Sequence, residues 1–110
     1  MVGKKYSVRF LPLFEWDLAE ITDYITYHLK NPHAAYLLVD KIEEAIRERL
    51  ACPESFEPHP SAKDRKYPYY RIYVKNFVIY YVVINDEDDE FKIMEVRRIL
   101  YTKRDNRKLL

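Results

Sequence analysis

The chain has 110 residues, 48% of them hydrophobic and 34% charged, which fits one globular domain and excludes a disordered or membrane-embedded chain. The formal net charge is +1, and the single glycine, Gly3, lies near the start. Because a phosphate-cradling loop needs glycines where its backbone approaches the phosphate, P-loop and dinucleotide-binding proteins are excluded.

A strand and a first helix are predicted for the start of the chain. Residues 4–11 alternate between apolar and polar side chains, which is typical of a β-strand. From residue 13 the apolar residues recur at intervals of three and four, which predicts an amphipathic helix to about residue 29. Phe14 and Trp16 are expected to pack in the core or between the helix and the sheet, and Asp17 to lie off the apolar stripe.

A second helix is predicted from Pro32 to about residue 51. Asn31 is a favourable N-cap, and proline at the first helical position loses no hydrogen bond. Pro53 follows the helix and stops it. Since the two helices meet at Asn31 without a spacer, we expect an antiparallel helical hairpin that packs on a sheet.

Three strands are predicted for the second half. Residues 69–75 alternate, and Lys75–Asn76 indicates a tight turn in which Asn76 tolerates a positive φ. Residues 77–84 are apolar on both faces, as expected of a central strand. Residues 91–101 form the last strand, where Arg97–Arg98 interrupt the alternation and indicate a bulge.

These elements predict a single α+β domain over residues 1–110. In it, a helical hairpin packs on one face of a four-stranded, mainly antiparallel sheet in the order β-α-α-β-β-β. No signal peptide and no membrane-spanning segment is predicted, so a cytoplasmic location without membrane contact is expected. Cys52 is the only cysteine, and it is interpreted as an apolar filler.

The charge is uneven along the chain. Residues 1–62 have 7 basic and 10 acidic side chains, whereas residues 63–110 have 12 basic and 8 acidic ones, five of these in the run 86–90. We interpret that run as a solvated hairpin loop. The predicted strands would then place Arg71, Tyr73 and Lys75 on one open face, which suits an anionic polymer with unstacked bases. His28, His33 and His59 have no metal-site spacing, and surface or capping roles are expected for them.

The order of elements and two segments resemble the RelE/ParE superfamily of toxins from bacterial type II toxin–antitoxin systems. Residues 70–83, YRIYVKNFVIYYVV, are similar to the central hairpin of that superfamily. Residues 96–105, VRRILYTKRD, are similar to its closing strand and Arg-Asp terminus. The resemblance covers nearly the whole chain.

The resemblance implies a toxin that arrests growth and binds a cognate antitoxin. RelE-like members enter the ribosome and cut mRNA without a metal, and we predict this mechanism first, which would make this chain an endoribonuclease. ParE-like members inhibit DNA gyrase and have no nuclease chemistry. A third hypothesis is that the chain is a degenerate member, an antitoxin-binding module that has lost its toxicity.

For mRNA cleavage the resemblance implies a site on the open face of the sheet. Cleavage needs a base near the 2′-hydroxyl, cations at the phosphorane and an acid for the 5′-oxygen. The candidate catalytic residues are Arg71, Lys75, Arg98 and Tyr101, and the candidate RNA-binding residues are Tyr73, Arg97, Lys103 and Arg104. No metal and no cofactor is implied. The chain departs from the nucleases at Val78, which aligns with their strand arginine.

Overall fold

The computed structural model of the chain describes residues 5–60, 65–85 and 91–110. Its strands and helices are β1 (Lys5–Phe10), α1 (Pro12–Asp23), α2 (Pro32–Arg49), β2 (Tyr70–Val74), β3 (Phe77–Asn85) and β4 (Phe91–Tyr101). A π-helical turn, Tyr24–His28, extends α1, and a short 3₁₀ turn, Arg107–Leu109, follows β4. The predicted acidic loop at 86–90 lies outside the described residues.

The four strands form one sheet in the order β1-β4-β3-β2. Strands β2, β3 and β4 are antiparallel neighbours, and β1 pairs in parallel with β4. Both helices lie on the same side, because the largest core cluster joins α1 and α2 residues to one set of alternating strand residues. The predicted α+β fold with its mainly antiparallel sheet is therefore confirmed.

Helix α2 begins where its capping residues predict. The Asn31 Oδ1 accepts a hydrogen bond from the Ala34 N–H at 3.1 Å, and Pro32 is the first helical residue. The buried side chains of the helix recur at three- and four-residue intervals and form the stripe that meets the sheet: Ala35, Leu38, Ile42 and Ile46.

Helix α1 differs from its prediction at two positions. Phe14 is buried as expected, but Trp16 is 67% exposed, so the expectation that it packs in the core is wrong. Asp17 is only 7% exposed although it lies off the apolar stripe. The cause is an ion pair with Arg98 of β4, a residue 81 positions away in the sequence.

The sheet is covered on both faces. The face that α1 and α2 pack against, which we call the inner face, includes Ile79 and Tyr81 of β3. On the opposite face, the outer face, a smaller cluster joins Val78, Tyr80 and Val82 to Tyr69 and Leu100. Residues 78–83 of β3 are all buried, which confirms the two-sided burial predicted for this strand.

The predicted bulge lies in β4. Tyr80 pairs with Arg98 and the next residue, Tyr81, pairs with Val96, so Arg97 is the additional residue. The β2–β3 turn differs from its prediction, because the positive φ of 53° falls on Lys75 and not on Asn76. Lys75 therefore belongs to the turn and not to the alternating part of β2.

Candidate functional site

The outer face contains a cavity of about 240 Å³, which we call the outer cavity. Three parts of the chain line it: the segment before β2, the β2–β3 hairpin, and the segment after β4. The lining side chains include His59, Arg71, Tyr73, Val78, Tyr80, Arg104 and Asn106. Arg71 and Tyr73 alternate with the core residues of β2 and so project to this face.

Asn106 forms the polar interior of the outer cavity. It is 8% exposed, and its Nδ2 donates to the Tyr80 hydroxyl at 3.2 Å and to the Tyr101 carbonyl at 3.4 Å. These two acceptors fix the orientation of the amide, so the atom that faces away from them is the oxygen, Oδ1, which can only accept a hydrogen bond. Oδ1 is buried and has no hydrogen-bond partner among the described residues. A buried acceptor without a partner costs free energy, and a ligand that donates to it would recover that cost.

His59 also lines the outer cavity and contacts Tyr80. Its ring meets the Tyr80 ring edge-on at 5.7 Å between centroids, and the backbone N–H of His59 donates to the Tyr69 carbonyl at 2.6 Å. Its Nδ1 is buried and, within residues 5–60, 65–85 and 91–110, has no hydrogen-bond partner. Burial lowers the pKa of His59, and the positive charges of Arg71 and Arg65 lower it further. The imidazole is therefore neutral at pH 7.

The rim of the outer cavity is cationic. Arg107 forms an exposed ion pair with Asp105, with Nη2 and Oδ2 2.8 Å apart, and this pair lowers the pKa of Asp105 to about 2. In the part of the chain that the structure describes, no carboxylate pairs with Arg71 or Arg104. Their charges are therefore available to an anion from solution.

Three of the eight predicted site residues meet at the outer cavity: Arg71, Tyr73 and Arg104. The Arg71 guanidinium lies 5.8 Å from the centroid of the Tyr73 ring, which is 62% exposed. The other five predicted residues do not line this cavity. The predicted catalytic group is therefore not assembled in one place, and its roles stay predictions.

Arg98 is held by Asp17. Its Nε and Nη2 each donate to one carboxylate oxygen of Asp17 at 2.8 Å, and the Ile99 N–H donates to the same carboxylate at 3.2 Å. Hydrogen bonding to Asp17 raises the pKa of Arg98. Both side chains are mostly buried, with 15% of Arg98 and 8% of Asp17 exposed. A substrate phosphate would have to displace Asp17 to reach this guanidinium.

Arg97, the bulge residue, is also paired. Its Nε donates to Glu95 Oε1 at 2.9 Å, and its guanidinium lies 5.7 Å from the Tyr69 ring centroid. Glu95 is buried and receives a second ion pair from Arg9 of β1. Burial acts to raise the pKa of Glu95, but hydrogen bonds from Arg9 and Arg97 lower it below its usual range. The bulge thus lets an arginine neutralise a buried carboxylate.

The three remaining predicted residues lie on the surface. Lys75 occupies the β2–β3 turn, Lys103 is exposed after β4, and Tyr101 ends β4 with its ring 5.9 Å from that of Phe77. Sequence reasoning missed His59, Tyr80 and Asn106 at the cavity. For His59 the predicted surface or capping role is replaced by a half-buried position against Tyr80, which nothing in its local sequence indicates.

A second, apolar cavity of about 520 Å³ lies between β1 and the two helices, and we call it the apolar groove. It is lined mainly by Val8, Phe10, Phe14, Leu18, Ile42, Ile46 and Leu50. Val8 and Phe10 are 37% and 41% exposed, because β1 is an edge strand of the sheet. An exposed apolar groove beside an unpaired strand edge is a surface that proteins use for binding.

Among the described residues no group of three or more His, Cys, Asp or Glu side chains is placed to hold a metal ion. The helices in the described part of the chain are too short or too polar to cross a membrane.

A helical hairpin on a four-stranded sheet of order β1-β4-β3-β2 is consistent with the fold of the RelE/ParE superfamily that the sequence resembles. The sequence matches the family model of the ParE toxin of type II toxin–antitoxin systems, parDE, over residues 8–106. The chain belongs to this family. A search of curated proteins finds no match.

Proposed function

We propose that this toxin arrests growth by inhibiting DNA gyrase and that it does not cut mRNA. The observation that carries the proposal is the dispersal of the cations that cleavage would need. Arg98 is occupied by Asp17, and the cavity wall has Val78 where the nucleases of the superfamily have an arginine. The match to the ParE toxin family supports the same target. A gyrase inhibitor acts in the cytoplasm, which agrees with the location expected from the sequence.

A supercoiling assay with purified gyrase tests this proposal. Relaxed plasmid and ATP are incubated with gyrase and micromolar toxin, and we expect fewer supercoiled topoisomers as the toxin concentration rises. Relaxation by a type I topoisomerase is the control and should be unaffected, because the effect requires gyrase rather than DNA alone. Unchanged supercoiling at saturating toxin would falsify the proposal.

Ribosome-dependent mRNA cleavage is the second candidate function. It is favoured by the meeting of Arg71, Tyr73 and Arg104 at one cavity beside a neutral His59. A neutral imidazole accepts a proton, and the two arginines would stabilise a phosphorane. Primer extension on mRNA from arrested cells separates the candidates, since only cleavage creates new 5′ ends. Expression without growth arrest would indicate a degenerate antitoxin-binding module.

The cognate antitoxin is proposed to bind the apolar groove. The groove combines exposed Val8 and Phe10 with the unpaired edge of β1, so a segment that folds on contact can bury apolar side chains and extend the sheet. This surface is on the helix side of the sheet, away from the outer cavity.

Substituting Val8 by glutamate is expected to weaken antitoxin binding about tenfold or more, because a charge would be buried in the interface. Leu37→Glu is the matched control, since Leu37 is a similarly exposed apolar residue that does not line the groove. The measurement is the affinity for the cognate antitoxin, which is expected to be a short acidic protein encoded by a neighbouring reading frame. Equal weakening by both substitutions would contradict this location.

A further inference from the structure

The outer cavity has the polarity of a site for one nucleotide. Its interior presents the Oδ1 of Asn106 and the Nδ1 of His59, two buried atoms without hydrogen-bond partners in the part of the chain that the structure describes. Its rim presents guanidinium groups, and one exposed aromatic ring lies beside it. The hydrogen-bonding groups of the interior match the polar edge of a nucleobase, and the cations of the rim match a phosphate. The exposed ring can stack on the π-face of the base.

We propose that the outer cavity binds a single nucleotide, with the base against His59 and Asn106 and the phosphate at the rim. The volume of about 240 Å³ lies below the roughly 300–1,000 Å³ of sites for drug-sized ligands, so it fits one base rather than several. Nucleotide binding here is compatible with either cellular target and does not rest on the proposed function.

Asn106 supplies the directional contact to the base. Because its Nδ2 is committed to the Tyr80 hydroxyl and the Tyr101 carbonyl, its Oδ1 accepts only from a ligand N–H or O–H. Inorganic phosphate at neutral pH has mostly acceptor oxygens and few O–H donors, so it favours the guanidinium groups of the rim over Oδ1. The amino and imino groups of a nucleobase bring the donor that it lacks.

His59 supplies the second contact. A neutral imidazole offers a hydrogen bond at Nδ1 to a ring nitrogen or carbonyl of the base without introducing another charge. The edge-on contact with Tyr80 fixes the plane of the imidazole, and the 2.6 Å hydrogen bond to the Tyr69 carbonyl fixes its backbone.

Arg71 and Arg104 supply the phosphate contacts, since neither has a carboxylate partner among the described residues. The Tyr73 ring, beside Arg71 and mostly exposed, provides a stacking surface for the base or its neighbour.

The test is an NMR titration of the labelled full chain with AMP, adenosine and inorganic phosphate. We expect AMP to shift the side-chain signals of His59 and Asn106 and to bind more tightly than either fragment. His59→Phe keeps the ring contact with Tyr80 and should weaken AMP binding about fivefold, as one lost hydrogen bond implies, while phosphate binding is unchanged. Arg71→Ala should weaken AMP and phosphate alike, by about tenfold or more.

Lys41→Ala is the control for Arg71→Ala, because it removes one positive charge from the exposed surface of α2. Equal affinities for AMP and phosphate, or an unaltered AMP affinity of His59→Phe, would overturn the assignment in favour of a plain anion site. Absence of any shift at His59 would also overturn it. The same titration with short RNA and DNA strands identifies the natural ligand. If they bind more tightly than AMP, the ligand is a polynucleotide, and if they bind more weakly, it is a free nucleotide.

Discussion

Replacing Asp17 by alanine is expected to lower the free energy of unfolding by about 3 kcal/mol, because it leaves the mostly buried Arg98 guanidinium without its counter-charge. The substitution removes two hydrogen bonds from Arg98 and one from the Ile99 N–H, all of which link α1 to β4. Arg98 retains one contact, to the Leu109 carbonyl at 3.1 Å, which only partly compensates. The measurement is urea unfolding followed by circular dichroism.

Asp23→Ala is the matched control, because Asp23 is an exposed carboxylate at the end of the same helix. Its loss should change the stability by less than about 0.5 kcal/mol. The double variant Asp17→Ala/Arg98→Met should be more stable than Asp17→Ala alone, since it removes the uncompensated charge as well. If Asp17→Ala and the control variant lost the same free energy of unfolding, the ion pair would not hold α1 on the sheet.

Replacing Tyr81 by phenylalanine is expected to cost about 2 kcal/mol, because a buried hydroxyl with two partners is deleted. The Tyr81 hydroxyl donates to the Pro53 carbonyl at 2.6 Å and accepts from Arg49 Nη1 at 3.0 Å. Burial raises the pKa of Tyr81, so the hydroxyl keeps its proton at neutral pH. The substitution leaves the Pro53 carbonyl without this donor in the interior.

The same change should loosen the segment that carries His59. Arg49 Nη1 also donates to the Arg71 carbonyl at 2.9 Å, so the Tyr81 network joins α2, β2 and the chain after α2. Tyr27→Phe is the control, since that hydroxyl is on a side chain 75% exposed, and its removal should be nearly neutral. Thermal unfolding of the two variants checks the difference, and equal melting temperatures would contradict it.

The fold was predictable because its signals are local. Asn31 and Pro32 specify the start of α2 by their own chemistry, and alternation around Ile72 specifies the inner and outer faces of β2. The bulge at Arg97 was predictable because it interrupts an otherwise regular alternation. These features depend on neighbours in the sequence, which a single chain displays.

The candidate site was only partly predictable because it depends on distant pairs. Nothing near Arg98 indicates that Asp17, 81 residues earlier, will occupy it. His59 and Asn106 become neighbours of Tyr80 only after two irregular segments fold over the outer face, and such segments carry no periodic pattern. Lys75 was assigned to the strand face because alternation alone does not show where β2 ends.

Growth arrest through gyrase is tested most directly by plasmid topology in cells that express the toxin without its antitoxin. The linking number is read on chloroquine gels during the first minutes of arrest, and mRNA 5′ ends are mapped from the same culture. We expect plasmids to lose negative supercoils while the 5′ ends stay unchanged. Normal supercoiling together with new 5′ ends inside coding sequences would contradict the gyrase proposal and leave the ribosome as the target.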